Sequence, residues 1–260
     1  MNPTGNTILI TGGGSGIGRG LAEAFHKQGN QVIIAGRRQS VLDAATAANP
    51  GMKSYILDIE DPTDIESFAT RVSDDFPSLN ALINNAGVMR TEDFTSDPID
   101  LSAAESTITT NLLGPIRLTA ALLPTLKQQQ RATIATVSSG LAFLPLTITP
   151  TYCATKAAIH SWTQSLRYQL RDTHIEVLEI APPYVQTELM GAQQAADPRA
   201  MPLADYIAET ISLLENPPAS GEILVERVLP LRWAEKNGSF DQIFQNLNSS
   251  FHEELTGSRS

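Results

Sequence analysis

The 260-residue chain is 42% hydrophobic, which is enough apolar content to bury the core of one α/β domain. Its formal net charge of −10 argues against nucleic acid or an anionic membrane as a partner, because both bind positive surfaces. Cys153 is the single cysteine, the first residues lack the pattern of a secretion signal, and no apolar run is long enough to span a bilayer. The composition therefore predicts a cytoplasmic protein without an intramolecular disulfide.

Short runs rich in isoleucine, valine and leucine alternate along the chain with segments of helical periodicity. Strands separated by helices form parallel sheets that are covered on both faces and joined by right-handed crossovers. The pattern predicts one domain over residues 1–260 with an α/β, doubly wound (Rossmann) architecture: a mostly parallel seven-stranded sheet with helices on both faces. The predicted strands are 7–10, 31–35, 54–57, 80–83, 132–138, 175–180 and 222–228, and the predicted helices are 17–29, 39–48, 62–76, 101–129, 152–171 and 203–215.

The first predicted strand runs into a glycine-rich turn, Thr11–Gly18, that leads into the first helix. Glycines let the backbone turn tightly and approach a pyrophosphate, and the helix N-terminus offers free N–H groups and the positive end of its dipole. The turn therefore predicts a dinucleotide site, with a glycine-rich connection that binds nothing as the alternative. The predicted contacts in the turn are Gly12, Gly14, Ser15, Gly16, Ile17 and Gly18.

The second predicted strand is followed by Gly36, where an acidic residue would bind the ribose 2′-hydroxyl of NAD, and then by Arg37 and Arg38. A guanidinium suits a 2′-phosphate by its charge and its fork of donors. The pair therefore favours NADP(H) over NAD(H). If one of the two arginines is merely solvated, we expect it to be Arg38.

Two further strand ends carry polar or small residues where the carboxyl ends of parallel strands form a ligand crevice. After the third strand, Ile59 is a predicted cofactor contact, and Asp58 either accepts a hydrogen bond from the adenine amine or caps the next helix. Asp61 fills that capping role more directly. The stretch after the fourth strand would let a cofactor ribose approach, unless it is a simple turn, and the predicted contacts there are Asn85, Ala86 and Gly87.

The long predicted helix 101–129 contains Pro115, which has no N–H and cannot bond the carbonyl four residues earlier, that of Asn111. The sequence thus predicts a kink that frees this carbonyl to hold a water molecule. A helix break with an exposed Asn111 is the alternative interpretation.

The fifth predicted strand ends at Ser138 and Ser139, and Tyr152 and Lys156 lie one turn apart on one face of the next long helix. A free tyrosine has a pKa of about 10 and transfers protons poorly at neutral pH, but an adjacent ammonium favours the phenolate and lowers that pKa. A serine hydroxyl beside them can hydrogen-bond a carbonyl oxygen. These side chains predict a catalytic group, whereas a Tyr-x-x-x-Lys pair by itself would indicate only an amphipathic helix.

In their order and spacing, these motifs resemble those of the short-chain dehydrogenase/reductase family, from Thr7 to about Val228. The family's Thr-Gly-x-x-x-Gly-x-Gly and Asn-Asn-Ala-Gly motifs are both present, and the chain is similar to bacterial DltE-type oxidoreductases. The resemblance implies reversible hydride transfer between NADP(H) and a carbonyl or alcohol, with the tyrosine as general acid or base, in a homodimer or homotetramer. The catalytic residues that it implies are Asn111, Ser139, Tyr152 and Lys156, of which the last two also contact the cofactor.

The chain departs from the family pattern after the sixth predicted strand, where Pro183 replaces the usual glycine and fixes φ at about −65°. Pro182, Val185 and Thr187 nevertheless match family positions that contact the cofactor. Residues 235–260 form a predicted amphipathic extension that packs on its own domain, crosses to another subunit or closes one side of the substrate pocket. The apolar face of this predicted helix comprises Phe240, Ile243, Phe244, Leu247 and Phe251.

The resemblance makes residues 188–202 a lid beside the nicotinamide. Apolar and aromatic residues surround the expected pocket and predict a hydrophobic ketone or secondary alcohol as substrate, although core packing would explain each of them equally well. The scattered histidines predict no metal site. Two other functions fit the same scaffold: a nucleotide-sensing regulator without turnover, which the Tyr-Lys pair disfavours, and an epimerase or dehydratase. The predicted pocket residues are Leu141, Phe143, Pro145, Tyr184, Leu189 and Met190.

Overall fold

The computed structural model describes the backbone of residues 2–257 and the side chains of residues 2–249, so the predicted apolar contact of Phe251 lies outside the described residues. Seven strands form one fully parallel sheet, which confirms the predicted doubly wound fold. Their order across the sheet is β3-β2-β1-β4-β5-β6-β7. The strands are β1 Thr7–Thr11, β2 Gln31–Gly36, β3 Lys53–Ile56, β4 Leu79–Asn84, β5 Ala132–Val137, β6 Ile175–Ile180 and β7 Glu222–Ile223.

Helices cover both faces of this sheet because the central strands bury side chains on both sides. Phe25 and Tyr206 pack on one face, and Phe68 and Leu118 pack on the other. Each fully buried side chain of this size contributes about 1.5–3 kcal/mol to folding. The helices are α1 Gly16–Lys27, α2 Gln39–Ala48, α3 Pro62–Asp75, α4 Ser102–Ile108, α5 Gly114–Lys127, α6 Pro150–Leu170, α7 Ala192–Ala196, α8 Leu203–Glu215, α9 Leu229–Arg232 and α10 Phe240–Gly257.

The centre of the sheet is a topological switch point. β1 lies between β2 and β4, so the chain proceeds outward in one direction from β1 to β3 and in the other from β4 to β7. Loops leaving the carboxyl ends of β1 and β4 diverge to opposite faces and open a crevice between them. The glycine turn and the residues after β4 both lie at this edge.

The seventh strand is much shorter than the predicted 222–228, because only Glu222 and Ile223 pair with β6. Residues 226–228 form a 3-10 turn instead, and Val225 and Val228 are buried in the core. The apolar pattern of this segment therefore reflects burial in a turn and not strand pairing.

The predicted helix 101–129 is divided by a π-helical turn, Thr109–Leu113, that joins α4 to α5. Pro115 lies in the first turn of α5. The wider turn accommodates the missing N–H of this proline, so the predicted kink takes the form of a π turn around Asn111.

The ends of three helices bear on the other predictions. Asp61 caps α3 by accepting the backbone N–H groups of Thr63 and Asp64, as predicted. α6 begins at Pro150, slightly before the predicted start at 152, and α10 lies within the predicted extension 235–260.

None of the described helices combines the length and the apolar character that crossing a bilayer requires.

Candidate active site

The glycine turn between β1 and α1 has a conformation and a clearance that only glycine allows. Gly12 and Gly16 adopt positive φ angles of 65° and 53°, which disfavour any residue with a side chain. A Cβ on Gly12 would lie 2.9 Å from Asn85 Nδ2, and a Cβ on Gly18 would overlap the carbonyl of Gly12. Glycine therefore lets the turn pack closely on itself and on Asn85, and the crevice is lined by this turn at the N-terminus of α1, where backbone N–H groups suit a pyrophosphate.

The end of β4 is tied directly to this turn. Thr11 Oγ1 accepts the backbone N–H groups of Asn85 and Ala86, each at 3.0 Å, and Asn85 Nδ2 donates to the carbonyl of Thr11 at 2.9 Å. The side chain of Asn85 therefore holds the turn in place, and Ala86 and Gly87 add little bulk at the crevice.

These segments border an open crevice of about 670 Å³, a volume typical of small-molecule sites. Every residue predicted to contact the cofactor lines it except Asp58, whose carboxylate accepts the backbone N–H of Glu60 at 3.0 Å. Asp58 therefore does not cap α3, which is capped by Asp61, and its predicted contact with adenine stays a prediction. In the part of the chain that the structure describes, no three His, Cys, Asp or Glu side chains are grouped as metal ligands. The predicted cofactor residues lining the crevice are Gly12, Gly14, Ser15, Gly16, Ile17, Gly18, Arg37, Arg38, Ile59, Asn85, Ala86, Gly87, Tyr152, Lys156, Pro182, Val185 and Thr187.

Arg37 and Arg38 lie at one end of the crevice, and both are exposed. Arg37 Nη1 pairs with Glu60 Oε1 at 3.1 Å, and the same oxygen accepts the hydroxyl of Thr110 at 2.7 Å. Arg38 Nη2 donates to Ser15 Oγ, on the glycine turn, at 3.4 Å. The expectation that Arg38 is the solvated member of the pair is therefore wrong, because Arg38 is the one that reaches the turn.

Asn111 holds the chain that leaves β4. Its Oδ1 accepts the backbone N–H of Val88 at 2.8 Å, and its Nδ2 donates to the carbonyl of Val88 at 2.8 Å and to Thr155 Oγ1 at 3.3 Å. The exposed Asn111 of the alternative interpretation is wrong, since the residue is buried. Because the side-chain amide is committed to these bonds, the predicted contact with water is left to the backbone carbonyl.

The start of α6 is fixed by a cap from the loop after β4. Pro150 occupies the first turn, where its missing N–H costs nothing, and the Glu92 carboxylate accepts the N–H of Thr151 at 3.0 Å and its hydroxyl at 2.7 Å. Tyr152 and Lys156 follow immediately on α6. The positions of Tyr152 and Lys156 are thus set by the start of α6 and by the loop after β4 that caps it.

Ser139, Tyr152 and Lys156 converge at the other end of the crevice. The Tyr152 hydroxyl hydrogen-bonds with Ser139, whose Oγ also accepts the N–H of Leu141 at 3.1 Å. Lys156 Nζ lies 5.6 Å from the centre of the Tyr152 ring and donates to the carbonyl of Val137 at 2.8 Å. The three side chains that the sequence groups together are therefore neighbours in space.

Burial controls the protonation of this group. It raises the pKa of Tyr152 to about 12, against the opposing effect of the hydrogen bond with Ser139. It lowers the pKa of Lys156 to about 8, against the opposing effect of the charge of Glu179. The expectation that the adjacent ammonium lowers the tyrosine pKa is therefore wrong, because the loss of hydration raises it. At neutral pH, Tyr152 is a protonated phenol that can donate its proton.

The predicted substrate residues are only partly at the crevice. Leu189 lines it, and Leu141 packs in the apolar cluster around Tyr152. Phe143 packs edge-on against His160, with ring centres 4.8 Å apart, and against the Arg232 guanidinium at 4.6 Å. The prediction that Phe143 lies at the pocket is therefore wrong, because it follows a 3-10 turn, Gly140–Ala142, and packs against residues of α6 and α9.

The other three predicted pocket residues belong to the loops around the crevice and do not line it. The Tyr184 hydroxyl donates to Asp197 Oδ2 at 3.2 Å, and the N–H of Met190 donates to Gln194 Oε1 at 3.0 Å. The carbonyl of Pro145 accepts Asn248 Nδ2 at 3.2 Å. The predicted lid, residues 188–202, contains α7 and is held to the sheet edge by Gln194, whose Nε2 donates to the carbonyl of Val185 at 2.9 Å.

Two groups of residues near Tyr152 are additional to those predicted. Residues 88–90 line the crevice directly after the motif that ends at Gly87. Extending the predicted contacts by three residues beyond that motif would have included them. Leu247 of α10 packs with Met89 and Leu141 beside Tyr152. α10 thus packs on its own domain, the first of the predicted arrangements, through a contact across about a hundred residues that no local pattern signals.

Comparison with known proteins agrees with this geometry. A family model described as short chain dehydrogenase matches residues 6–198. The uncharacterised oxidoreductase DltE of Bacillus subtilis (strain 168) is 38% identical, over 96% of this chain and 99% of its own. An uncharacterised oxidoreductase of Staphylococcus aureus (strain N315) is 29% identical, over 82% of this chain and 93% of its own.

Solved structures share the fold. A short chain dehydrogenase from Burkholderia cenocepacia J2315 in complex with NADP superposes with a TM-score of 0.79 at 24% identity, over 95% of this chain and 99% of its own. A 3-ketoacyl-(acyl-carrier-protein) reductase from Brucella melitensis complexed with NADH gives a TM-score of 0.76 at 25% identity, over 86% of this chain and 99% of its own.

Proposed function

The chain belongs to the short-chain dehydrogenase family, and from this premise we propose that it interconverts a ketone or aldehyde and an alcohol by hydride transfer with NADP(H). The observation that carries the proposal is the convergence of Tyr152, Ser139 and Lys156 at one end of a crevice whose other end is the glycine turn. The close packing of Gly12 and Gly18 against Asn85 supports a dinucleotide there, because it keeps the turn tight at the N-terminus of α1, where a pyrophosphate would bind.

Each polar group at the Tyr152 end has a role in this reaction. When bound, the reduced nicotinamide supplies the hydride for the carbonyl carbon. Tyr152, a protonated phenol at neutral pH, gives its proton to the developing alkoxide, and Ser139 hydrogen-bonds the same oxygen. Lys156 would hold the nicotinamide ribose and favour the phenolate that forms, and the carbonyl of Asn111 would hold a water that returns a proton to Lys156.

The preference for NADP(H) over NAD(H) rests on Arg37 and Arg38. Two guanidinium groups beside the glycine turn, in a chain of net charge −10, form a local site for a 2′-phosphate. The family as such uses either dinucleotide, since the two solved relatives hold NADP and NADH.

The proposed substrate is a hydrophobic carbonyl compound or secondary alcohol. The cluster against Tyr152 is apolar, and its members besides Tyr152 come from four separate segments of the chain. A carbonyl compound with an apolar substituent would bury that substituent against them. The cluster comprises Met89, Leu141, Leu146, Ile148, Cys153 and Leu247.

We also propose a homodimer or homotetramer that associates through α4, α5 and α6. Ile108, Leu113 and Tyr168 are exposed on this run of helices, Tyr168 at 67% of its surface. Large apolar groups on adjacent helices suit a two-fold contact between copies. Light scattering measures the mass in solution, and a monomer at micromolar concentration would contradict this part of the proposal.

The test is a panel of ketones, aldehydes and secondary alcohols with NADPH and NADH in parallel, followed by the absorbance of the reduced cofactor. We expect turnover with at least one apolar carbonyl compound and a higher kcat/KM with NADPH. Binding of NADPH without turnover of any substrate would favour the nucleotide sensor. Product formation without net change of the cofactor would favour an epimerase or dehydratase.

A further inference from the structure

Glu179 is a fully buried carboxylate on β6 for which the proposed reaction has no role. Its Oε1 accepts Ser138 Oγ at 2.5 Å, and its Oε2 lies 2.7 Å from His160 Nδ1. Because an ionised carboxylate only accepts hydrogen bonds, the Nδ1 of His160 carries a hydrogen. Both carboxylate oxygens are therefore satisfied, one by the end of β5 and one by α6.

Both partners of Glu179 are next to the residues proposed to be catalytic. Ser138 stands between Val137, whose carbonyl accepts Lys156 Nζ, and Ser139. His160 lies one turn after Lys156 on α6. The carboxylate therefore links the strand end that presents Ser139 to the helix that presents Tyr152 and Lys156.

The charges around Glu179 come from three elements. Lys156 and His160 face it from α6, and Arg232 of α9 faces it from the other side. Arg232 also donates to the Glu222 carboxylate of β7 through two hydrogen bonds of 2.7 and 3.0 Å. The opposite charges of Arg232 and Glu222 therefore largely cancel. Among the bonds described above, the buried ammonium of Lys156 donates only to a neutral carbonyl. The carboxylate whose negative charge acts on this ammonium is that of Glu179.

Packing alone does not explain a carboxylate at this position. Ile175 and Val177 precede it at two-residue intervals on the same face of β6 and are apolar core residues. Burying a carboxylate costs free energy that an aliphatic side chain would avoid, even when the carboxylate is fully hydrogen-bonded. A buried carboxylate therefore points to a role in the chemistry, because its two hydrogen-bond partners adjoin Ser139 and Lys156.

We propose that Glu179 is a positioning residue for the Tyr152 group: held by Ser138 and His160, its negative charge keeps Lys156 protonated inside the protein. The role in turnover rests on the proposed function, whereas the effect on Lys156 is independent of it. Burial lowers the pKa of Lys156 to about 8, and the charge of Glu179 acts in the opposite direction. Without that charge, Lys156 would lose its proton at a lower pH.

Glu179→Gln is the matched substitution. Its amide oxygen still accepts from Ser138, and its amide nitrogen donates to His160 Nδ1 once the ring proton moves to Nε2, so the shape and both hydrogen bonds are kept while the charge is removed. Glu176→Gln on the same strand is the control, because Glu176 points to the opposite face. Glu179→Asp is the conservative variant that retains the charge.

The first measurement is a direct titration that needs neither cofactor nor substrate. The chain contains five lysines, so protein labelled with ¹³C-lysine gives five Cε resonances, and Lys156→Arg identifies that of Lys156. We expect the midpoint of Lys156 to fall by roughly half a pH unit or more in Glu179→Gln. It should stay at the wild-type value in Glu176→Gln and close to it in Glu179→Asp. An unchanged or raised midpoint in Glu179→Gln would overturn the proposal.

The second measurement follows the reaction. Reduction requires protonated Lys156, so kcat/KM should decrease above the pKa of Lys156, and this decrease should begin at lower pH in Glu179→Gln. A variant that is slower at every pH, with an unmoved profile and an unmoved Lys156 midpoint, would show that Glu179 is only structural. If the wild type turns over no substrate, the proposed function fails, and the titration still decides the role of Glu179.

A second variant covers the case in which Glu179→Gln does not fold. Glu179→Met combined with His160→Leu replaces the buried polar pair by apolar groups, a change that proteins often tolerate without loss of stability. It removes the same negative charge, so we expect the same direction of change in the Lys156 midpoint. A midpoint equal to that of the wild type in this double variant would contradict the proposal.

Discussion

The two ends of the crevice differ in how they hold charge. At the end beside Arg37 and Arg38, the guanidinium groups are exposed, and Arg37 and Glu60 form a surface ion pair. At the end beside Tyr152, the phenol and the Lys156 ammonium are almost completely buried, and the Glu179 carboxylate behind them is fully buried. Water and salt screen the first set of charges, whereas the second set is screened by neither.

This difference separates affinity from chemistry. A surface ion pair contributes about 0–1 kcal/mol, so substitutions at the arginine end should change cofactor preference at little cost to the fold. At the tyrosine end, burial raises the pKa of Tyr152 and lowers that of Lys156, so the fold itself sets the protonation of both groups. Substitutions there should change the reaction itself.

The largest expected effect is at the tyrosine end. Tyr152→Phe removes the hydroxyl that we propose as the proton donor and leaves the ring and its packing in place. We expect turnover to fall by at least ~10²-fold, the usual loss when a general acid is removed, while NADPH affinity stays within about twofold of the wild type. Steady-state kinetics and fluorescence titration of NADPH measure the two quantities. Turnover comparable to that of the wild type would rule out this role for Tyr152.

The next largest effect is expected at the glycine turn, which serves both ends because it would hold the middle of the proposed cofactor. In Gly18→Ala, the new methyl group would overlap the carbonyl of Gly12 and the side chain of Asn85. We expect about 1–3 kcal/mol of destabilisation, as for other overpacked sites, and a weakening of NADPH and NADH binding by more than about tenfold. Denaturant unfolding and fluorescence titration measure these changes.

Gly36→Ala is the control for stability, since its Cβ would meet nothing nearer than Leu42 Cδ2 at 3.8 Å. Equal stability and equal affinity for Gly18→Ala and the wild type would mean that the turn adapts to a side chain, and the argument for a preformed phosphate site would fail.

The two ends also differ in how well the sequence predicts them. The turn Thr11–Gly18 is contiguous and follows a strand, so its conformation and its position follow from local rules. Tyr152 and Lys156 are likewise one helical turn apart. Local reasoning fails where contacts join distant segments: Ser138, His160 and Glu179 come from three elements, and no spacing in the chain signals that they meet.

The errors have related causes. Leu224, Val225 and Val228 are apolar because they pack in the core around a turn, and hydrophobicity does not distinguish that environment from a strand. The direction of Phe143 depends on a 3-10 turn after Gly140 that has no strong sequence signal. The pKa of Tyr152 depends on the balance between burial and the hydrogen bond with Ser139, and burial is known only once the fold is known.

A smaller effect is expected at the arginine end. An incoming 2′-phosphate meets Arg38 without displacing a carboxylate, because Arg38 donates to the neutral Ser15, whereas Arg37 is paired with Glu60. We therefore expect Arg38→Gln to lower the ratio of kcat/KM for NADPH to that for NADH by about tenfold, as a lost charged hydrogen bond would, and Arg37→Gln to lower it less. The comparison is made at low and high salt, and the preference of the wild type should weaken as salt increases.

Unfolding measurements are the control for this pair of variants, because neither exposed side chain should contribute measurably to stability. An unchanged ratio in both single variants would remove the basis for the NADP(H) preference. A larger loss in Arg37→Gln would instead mean that Glu60 turns away from Arg37 when the cofactor binds.

The smallest expected effect concerns α10, which joins the tyrosine end from outside the sheet. Asn248 anchors this helix by accepting the N–H of Thr147 at 2.6 Å and donating to the carbonyl of Pro145, and Leu247 then packs beside Tyr152. Leu247→Ala should open a space next to the reacting carbonyl, so kcat/KM should rise a few-fold for bulkier substrates relative to smaller ones. One methylene group in an apolar pocket changes the discrimination between two substrates by about 1–3 kcal/mol. Because Leu247 is only partly buried, we expect the effect of its substitution to lie at the lower end of that range.

Phe244→Ala is the matched control for Leu247→Ala on the same helix, because Phe244 stacks on Phe240 with ring centres 5.9 Å apart and is not in the cluster around Tyr152. Both variants should lose a similar, small amount of stability, but only Leu247→Ala should change the order of preferred substrates. The same change in both variants would mean that α10 acts through its overall attachment. No change in either would mean that the substrate binds away from the helix, and the apolar wall of the pocket would then have to come from the other members of the cluster, such as Met89 and Leu141.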